Sequence, residues 1–152
     1  MDYYPVQDSR PATVQCAVDS AVRRNVPANV LLAILEWENG HKKVLQNPNG
    51  TVDIGQGGIN SIHLKELHHI GVSANVVAYF LKNDGCYSAD FSAYLLQKRL
   101  TEARNGNPDF WTRVASYHSK TPSLNVAYQQ NIRPLASKWA GYLARNYTVK
   151  DY

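Results

Sequence analysis

Residues 31–60 constrain the fold most strongly, because a helical pattern gives way there to a run of glycines. Leu31, Ile34 and Leu35 have the i, i+3, i+4 spacing of one apolar helix face. Beyond residue 40 this periodicity fails, and the sequence reads Asn-Pro-Asn-Gly and then Gly-Gln-Gly-Gly. The pattern predicts a buried helix over about 27–39, followed by an irregular lobe with one short strand over 51–54.

The last turn of this helix carries two glutamates in different positions. Glu38 continues the apolar stripe at i+7 from Leu31, whereas Glu36 projects roughly 140° away from Leu31. A half-buried carboxyl group has its charged form disfavoured and its pKa raised, as a general acid near neutral pH requires. On spacing alone, an ordinary last-turn glutamate at the stripe's edge is the more frequent explanation. Gly40 is predicted to cap the helix.

The rest of the chain is predicted to be mainly α-helical. Further helices are expected over about 11–25, 61–70, 73–82, 88–104 and 123–146, with one more starting at 107–109. Ser88 is the expected N-cap of the fifth helix, and Pro134 is expected to divide or kink the last one. Residues 1–10 are predicted to form a flexible arm and 148–152 a tail, which leaves 11–147 as the domain.

Length and composition fit one globular domain. A chain of 152 residues that is 44% hydrophobic can bury a single sizeable core. No apolar run approaches the 18 residues that indicate a transmembrane helix, and no secretory leader pattern is visible at the start. The net charge of +4 is scattered in pairs such as Arg23–Arg24, so a nucleic-acid partner is not expected. His68 and His69 are adjacent and a poor metal pair, so neither a metal nor a cofactor is predicted.

Cys16 and Cys86 are the two cysteines. Two are too few for a disulfide-dense scaffold, and their spacing fits no zinc motif. The residues alone leave two possibilities, one bridge closing a long loop or two separate buried thiols.

Four motifs in order resemble those of lytic transglycosylases with a lysozyme-like domain, over about residues 13–140. Residues 33–40 are similar to that family's Ala-Ile-x-x-x-Glu-Ser-Gly signature, and residues 53–60 to its Asp-x-Gly-Leu-Met-Gln-Ile-Asn loop. Residues 115–119 resemble its Ala-x-Tyr-Asn-x-Gly motif, and Tyr128 stands where the family has a late tyrosine. The match is best with the branch that accompanies secretion, conjugation and type IV pilus machines.

The resemblance implies a lysozyme-like fold and cleavage of peptidoglycan glycan strands. Glu38 would protonate the glycosidic oxygen and then take the proton of the sugar's C6 hydroxyl, leaving a 1,6-anhydro muramic acid end without water. The substrate's own N-acetyl group would stabilise the anomeric carbon. Tyr117 would donate to the N-acetyl oxygen or to Glu38, and His118 would supply a similar hydrogen bond. Asn60 and Tyr128 would form part of the groove wall.

The resemblance also implies a cellular setting. The protein is expected in the periplasm, after removal of a leader, in the service of a secretion, conjugation or pilus machine. The sequence does not settle the oligomeric state, and a monomer is assumed. In that oxidising compartment Cys16 and Cys86 are expected to form a bridge that joins the first helix to the fifth.

Two features of the glycine-rich loop leave alternatives open. Asp53 matches the second catalytic carboxylate in the similar loop of c-type lysozymes, so a hydrolase that uses Glu38 and Asp53 is the alternative activity. Asp53 could equally hydrogen-bond loop amides or orient substrate. Gly57 and Gly58 stand where the family has Met-Gln. Either Gln56 replaces the missing glutamine from two residues earlier, or a hole is left that weakens substrate contacts and activity. A wall-binding module that has lost activity is the third hypothesis.

Overall fold

A computed structural model describes residues 11–38, 44–68 and 71–152. The described chain is mainly α-helical with one small antiparallel sheet, which confirms the predicted fold class. The elements, in chain order, are α1 Val14–Arg24, α2 Ala28–Glu38, β1 Val44–Gln46, β2 Val52–Ile54, β3 Ile59–Asn60, α3 Ile62–His68, α4 Ala74–Asn83, α5 Gly85–Thr101, α6 Phe110–Ala115 and α7 Pro122–Asn146. The predicted arm 1–10, the Gly40 cap and His69 lie outside the described residues.

Side-chain caps fix the start of three helices. Thr13 caps α1 by accepting a hydrogen bond from a backbone N–H in its first turn, and Asp109 caps α6 in the same way. Asp84 caps α5 through two such bonds. The predicted Ser88 cap is therefore wrong, because Asp84 starts the helix earlier and leaves Ser88 fully buried inside it.

Helix α7 runs as one element through Pro134, so the predicted division of this segment into two helices is wrong. A proline removes one backbone hydrogen bond from a helix interior. Here that loss is offset by burial on both sides of the proline, since Tyr128, Ile132, Ala136 and Leu143 are all within the core. The helix therefore reaches without a break from the groove described below to the end of the domain.

The glycine-rich region forms a three-stranded sheet in the order β1–β2–β3. The strand predicted over 51–54 corresponds to β2, while β1 and β3 are additional. Asp53 pairs with Asn60 across β2 and β3, and Ile54 pairs with Ile59. Gly50 has a φ of +83° in the turn between β1 and β2, a conformation that side chains with a Cβ resist. Two turns thus fold this stretch back on itself, which periodicity could not reveal.

The apolar residues form two cores that meet at Tyr117. The larger core lies between α1, α2, α5, α6 and α7, and α2 is its centre because residues 28–35 are all buried. The smaller core lies beneath the sheet and consists of Ile54, Ile59, Leu64, Val77, Leu81 and Leu95. Tyr117 packs against both clusters. The molecule therefore has a helical body and a smaller lobe, with Tyr117 at the junction.

The disulfide and the C-terminal residues fasten the helical body. Cys16 in α1 is bonded to Cys86 in the first turn of α5, with the two Cα atoms 5.7 Å apart, which confirms the expected bridge. Residues 148–152 pack against the body: the ring of Tyr152 stacks on Phe110, with ring centroids 3.5 Å apart. The buried Asn29 side chain accepts from the Tyr152 N–H at 2.9 Å and donates to its carbonyl oxygen at 2.8 Å.

Candidate active site

A groove of about 440 Å³ separates the helical body from the small lobe. It brings together five of the residues predicted for the site, which are Glu38, Asp53, Asn60, Tyr117 and His118. These residues come from the end of α2, from β2 and β3, and from the segment after α6. Residues that are distant in sequence thus converge on one concave surface, which is where ligands bind most often.

Glu38 lines this groove and is largely buried. Its Oε1 accepts a hydrogen bond from the Tyr128 hydroxyl at 2.8 Å. Gly58 lies against the other oxygen so closely that an added Cβ would be 2.6 Å from Oε2. Burial raises the pKa of Glu38 to about 7, with the Tyr128 hydrogen bond lowering it and the charge of Asp53 raising it further. Glu38 can therefore act both as acid and as base near neutral pH.

Asp53 faces Glu38 from strand β2 and is held by Asn60. The Asn60 side-chain amide donates to Asp53 Oδ1 at 3.0 Å and to Thr51 Oγ1 at 3.0 Å. The side-chain oxygen of Asn60, Oδ1, accepts a hydrogen bond from the backbone N–H of Ile62 at 3.0 Å. Asn60 is thus occupied on both ends of its amide, and it orients Asp53 rather than presenting a free side chain to the groove.

The two predicted tyrosines have contacts that differ from the expected ones. The Tyr117 hydroxyl donates to the carbonyl oxygen of Gly57 at 2.8 Å, whereas the hydroxyl that contacts Glu38 belongs to Tyr128. Burial raises the pKa of both tyrosine hydroxyls, so both are neutral donors. His118 stacks on Tyr128 with ring centroids 5.0 Å apart and an interplanar angle of 10°. Tyr128 lies on the inward-facing side of α7, whereas the sequence predicted only that it forms part of the groove wall.

The structure does not bring Gln56 into the groove. Its Oε1 accepts a hydrogen bond from the backbone N–H of Ala12 at 2.8 Å, and it lines a separate cavity of about 270 Å³ beside α1. The expectation that Gln56 replaces the family's glutamine is therefore wrong. The physical reason is that Gly57 is anchored to the helical body, which leaves Gln56 on the side of the loop that faces α1.

Several groove residues were missed from the sequence. His63, Ser119 and Leu124 line the groove, and Ser88 and Ser92 lie fully buried beneath the glycine loop. The groove residues carry no local signal, because they reach the site only through tertiary packing. Ser88 and Ser92 do carry a local signal. They are four residues apart in α5 and share a helix face with buried alanines and leucines.

Comparison with models of protein families gives no match for this chain. Two curated relatives are similar to it, Protein IpgF of Shigella flexneri and Protein IpgF of Shigella sonnei. Each is 32% identical over 108 residues, which is 70% of this chain and 66% of the relative. The match thus spans just under two thirds of the length of these relatives.

The described residues contain neither a metal-binding cluster nor a membrane-spanning helix. Within 11–38, 44–68 and 71–152, no cluster of three His, Cys, Asp or Glu side chains is placed to hold a metal ion. Among the helices of the same ranges, none combines the length and apolar character needed to cross a bilayer.

Proposed function

We propose that this protein is a peptidoglycan lytic transglycosylase that cleaves the β-1,4 bond between MurNAc and GlcNAc and forms a 1,6-anhydroMurNAc end. The observation that carries the proposal is Glu38, a carboxyl group with a pKa of about 7 that lines a groove. The substrate class comes from the four motifs that resemble those of lytic transglycosylases. The name of the similar Shigella proteins specifies no activity.

The proposed reaction uses Glu38 twice. In its protonated form Glu38 gives its proton to the glycosidic oxygen, and the bond from that oxygen to the anomeric carbon breaks. The carbonyl oxygen of the substrate's N-acetyl group bonds to the anomeric carbon and takes up the positive charge. Glu38, now a carboxylate, removes the proton of the C6 hydroxyl, and the C6 oxygen displaces the N-acetyl oxygen. The net reaction consumes no water.

The neighbours of Glu38 suit this double role. The Tyr128 hydroxyl donates to Oε1 at 2.8 Å and stabilises the carboxylate that remains after the first proton transfer. The negative charge of Asp53 favours the protonated form before the reaction, and it favours a positive anomeric carbon during the reaction. Burial of Glu38 and the charge of Asp53 thus oppose the hydrogen bond from Tyr128, which keeps the pKa near the working pH.

One observation favours a second activity, that of a muramidase that hydrolyses the same bond. Asn60 fixes Asp53 in the groove that also contains Glu38, and two carboxyl groups in one groove are the equipment of a glycoside hydrolase. In that reaction Asp53 would bond to or stabilise the anomeric carbon, and water would complete the cleavage. The product would then have a reducing end.

The proposed setting is the periplasm, where the protein would open the wall locally for a secretion, conjugation or pilus machine. The Cys16–Cys86 disulfide supports an oxidising compartment. The net charge of +4 favours an anionic polymer such as the carboxylate-rich cell wall. The machine rests on the family resemblance alone, and the monomeric state is an assumption.

Product analysis tests the proposal directly. Purified peptidoglycan is digested with the wild-type protein, Glu38→Gln and Asp53→Asn, and the soluble fragments are weighed by mass spectrometry. Anhydro ends, lost in Glu38→Gln and retained at reduced rate in Asp53→Asn, support the transglycosylase. Reducing ends that require both carboxylates support the hydrolase. The enzymatic proposal fails if Glu38→Gln clears the wall as fast as the wild type. It also fails if the wild type itself does not clear the wall although it sediments with it.

A further inference from the structure

Two buried serines lie beneath the glycine loop, outside the groove itself. Ser88 and Ser92 are each 0% exposed, one turn apart on the face of α5 that supports the small lobe. A buried hydroxyl lowers stability unless it is hydrogen-bonded, so the partners of these two side chains indicate why they are there.

The serines and Tyr117 hold both backbone polar groups of Gly57. The Gly57 N–H donates to Ser88 Oγ at 2.9 Å, and the Gly57 carbonyl oxygen accepts from the Tyr117 hydroxyl at 2.8 Å. Ser92 Oγ donates to the backbone carbonyl oxygen of Ser88 at 2.8 Å and lies 3.0 Å from the Tyr117 hydroxyl oxygen. The loop is therefore fastened to the helical body at Gly57.

The glycines let the loop fit between the serines and Glu38. An added Cβ at Gly57 would collide with Ser92 Oγ, and an added Cβ at Gly58 would lie 2.6 Å from Glu38 Oε2. Gly58 also has a φ of +58°, which disfavours any side chain. The replacement of the family's Met-Gln by two glycines is thus matched by serines on one side and a carboxyl group on the other.

We propose that Ser88 and Ser92 are positioning residues for Glu38, which they influence by fixing Gly57 so that the Gly58 backbone covers the carboxyl group. The cover withholds water from one face of Glu38. Neither serine lines the groove. Ser88 acts through its hydrogen bond from Gly57, and Ser92 acts through Ser88 and through Tyr117, whose hydroxyl holds the Gly57 carbonyl oxygen. The catalytic consequence rests on the proposed function, whereas the effect on Glu38 does not.

Other titratable groups face Glu38 and must be kept constant in any test. Among the described residues they are Asp53 on β2, Tyr128 on α7, Tyr117 after α6, and the groove imidazoles His63 on α3 and His118. Ser88 contacts none of these side chains, whereas replacing Ser92 also removes a hydrogen bond of the Tyr117 hydroxyl. A change in the titration of Glu38 in Ser88→Ala therefore reports the position of the loop, and a change in Ser92→Ala reports the loop together with Tyr117, which holds it.

The experiment is a carboxyl NMR titration of Glu38 in Ser88→Ala and Ser92→Ala, beside the wild type. In both variants the midpoint is expected to fall from about 7 toward the ordinary glutamate value of 4.5, because a displaced loop admits water. Ser20→Ala is the matched control, since Ser20 is a buried helix serine whose hydroxyl bonds Arg23 instead. Its midpoint is expected to equal that of the wild type.

An unchanged midpoint in folded Ser88→Ala and Ser92→Ala overturns the proposal. Alanine is favourable inside helices, so both variants are expected to fold. Should either fail to fold, the serine is replaced by cysteine, which is slightly larger and hydrogen-bonds only weakly, and the same fall is expected. The pH profile of wall digestion separates the two proposals. If the Glu38 midpoint falls in the serine variants but the wild type does not digest the wall, only the enzymatic function is refuted. If the wild type digests the wall but the Glu38 midpoint does not move in the serine variants, only the positioning role is refuted.

Discussion

Helix α2 ends in two glutamates that have opposite surroundings. On one side, Glu36 Oε1 accepts from Lys138 Nζ at 2.6 Å and Glu36 Oε2 accepts from Trp139 Nε1 at 2.8 Å. The hydrogen bond from Lys138 is the main reason that the pKa of Glu36 is lowered. On the other side, Glu38 has one neutral donor, Tyr128, and its pKa is raised to about 7 by burial.

The difference teaches that burial and a counter-ion together decide which glutamate keeps its proton: burial raises the pKa of Glu38, and Lys138 lowers the pKa of Glu36. A cation near Glu38 would favour the carboxylate and remove the acid. Among the described residues that line the groove there is no lysine or arginine, and the nearest charge identified is that of Asp53. The groove side therefore preserves a reactive carboxyl group, and the Glu36 side uses a carboxylate for surface packing.

The largest expected contrast is in activity. Glu38→Gln is expected to reduce wall digestion by about 10²- to 10⁴-fold, because the amide can neither give nor take the proton. Glu36→Gln, the matched control two residues away, is expected to change the rate by less than about threefold, because an exposed ion pair contributes little. Release of soluble fragments from dye-labelled peptidoglycan measures both. Equal losses in the two variants would show that the end of α2 matters only for folding.

The next contrast is in the pH dependence of stability. The folded-state pKa of Glu38 lies above its ordinary value of 4.5, so the folded protein binds this proton more tightly than the unfolded chain does. The stabilisation is complete below pH 4.5 and is lost as the pH rises through 7. By linkage, the wild type should lose on the order of 3 kcal/mol of unfolding free energy relative to Glu38→Gln over that interval.

Urea unfolding at several pH values measures this loss. For Glu36→Gln, the stability difference from the wild type should change with pH in the opposite direction. The pKa of Glu36 is lowered on folding, so its stabilisation is present above 4.5 and is lost as the pH falls through the folded-state value. The wild type should therefore lose stability relative to Glu36→Gln in acid, and relative to Glu38→Gln near neutrality. Parallel curves for the wild type and Glu38→Gln would contradict the raised pKa.

A smaller effect is expected from Gly58→Ala. Its φ of +58° alone disfavours a side chain by roughly 1 kcal/mol, and its Cβ would also press on Glu38 Oε2. Gly106→Ala is the control, because Gly106 has a φ of +78° with nothing within 4 Å of an added Cβ. Both variants should lose similar backbone stability in thermal unfolding, but only Gly58→Ala should also slow wall digestion. Equal activity in the two would mean that the loop does not press on Glu38.

Local patterns in the sequence were sufficient to predict most of the fold and the phase of the critical helix. The stripe from Leu31 placed Glu38 at the edge of the core and Glu36 outside it, and the structure has that arrangement. The caps and the proline were misjudged where a competing residue or tertiary packing prevailed: Asp84 displaced Ser88 as a cap, and burial carried α7 through Pro134.

The contacts within the site were harder to predict, because they depend on how loop and helices meet. Nothing in the local sequence directs the Tyr117 hydroxyl to Gly57 and leaves Glu38 to Tyr128. Likewise, Gln56 was assigned to the groove by its nearness to the motif's glutamine, yet anchoring of Gly57 places it on the other side. Assigning a role to a residue from its position in a motif is therefore least reliable in a loop that is held by side chains distant in sequence, as Ser88 and Tyr117 hold this one.

The smallest expected effect comes from removing the cation on the Glu36 side. Lys138→Met leaves an apolar stem of similar length and removes the ion pair, in which the side chains are 56% and 38% exposed. Exposed pairs contribute less than about 1 kcal/mol, so the loss of unfolding free energy should be within that limit and should shrink as salt is added. NMR should show the pKa of Glu36 rising while that of Glu38 stays near 7, because no contact links the lysine to the groove. If the pKa of Glu38 also changed in Lys138→Met, the two glutamates would be electrostatically coupled. The distinction between Glu36 as a surface ion-pair partner and Glu38 as the proposed acid would then not hold.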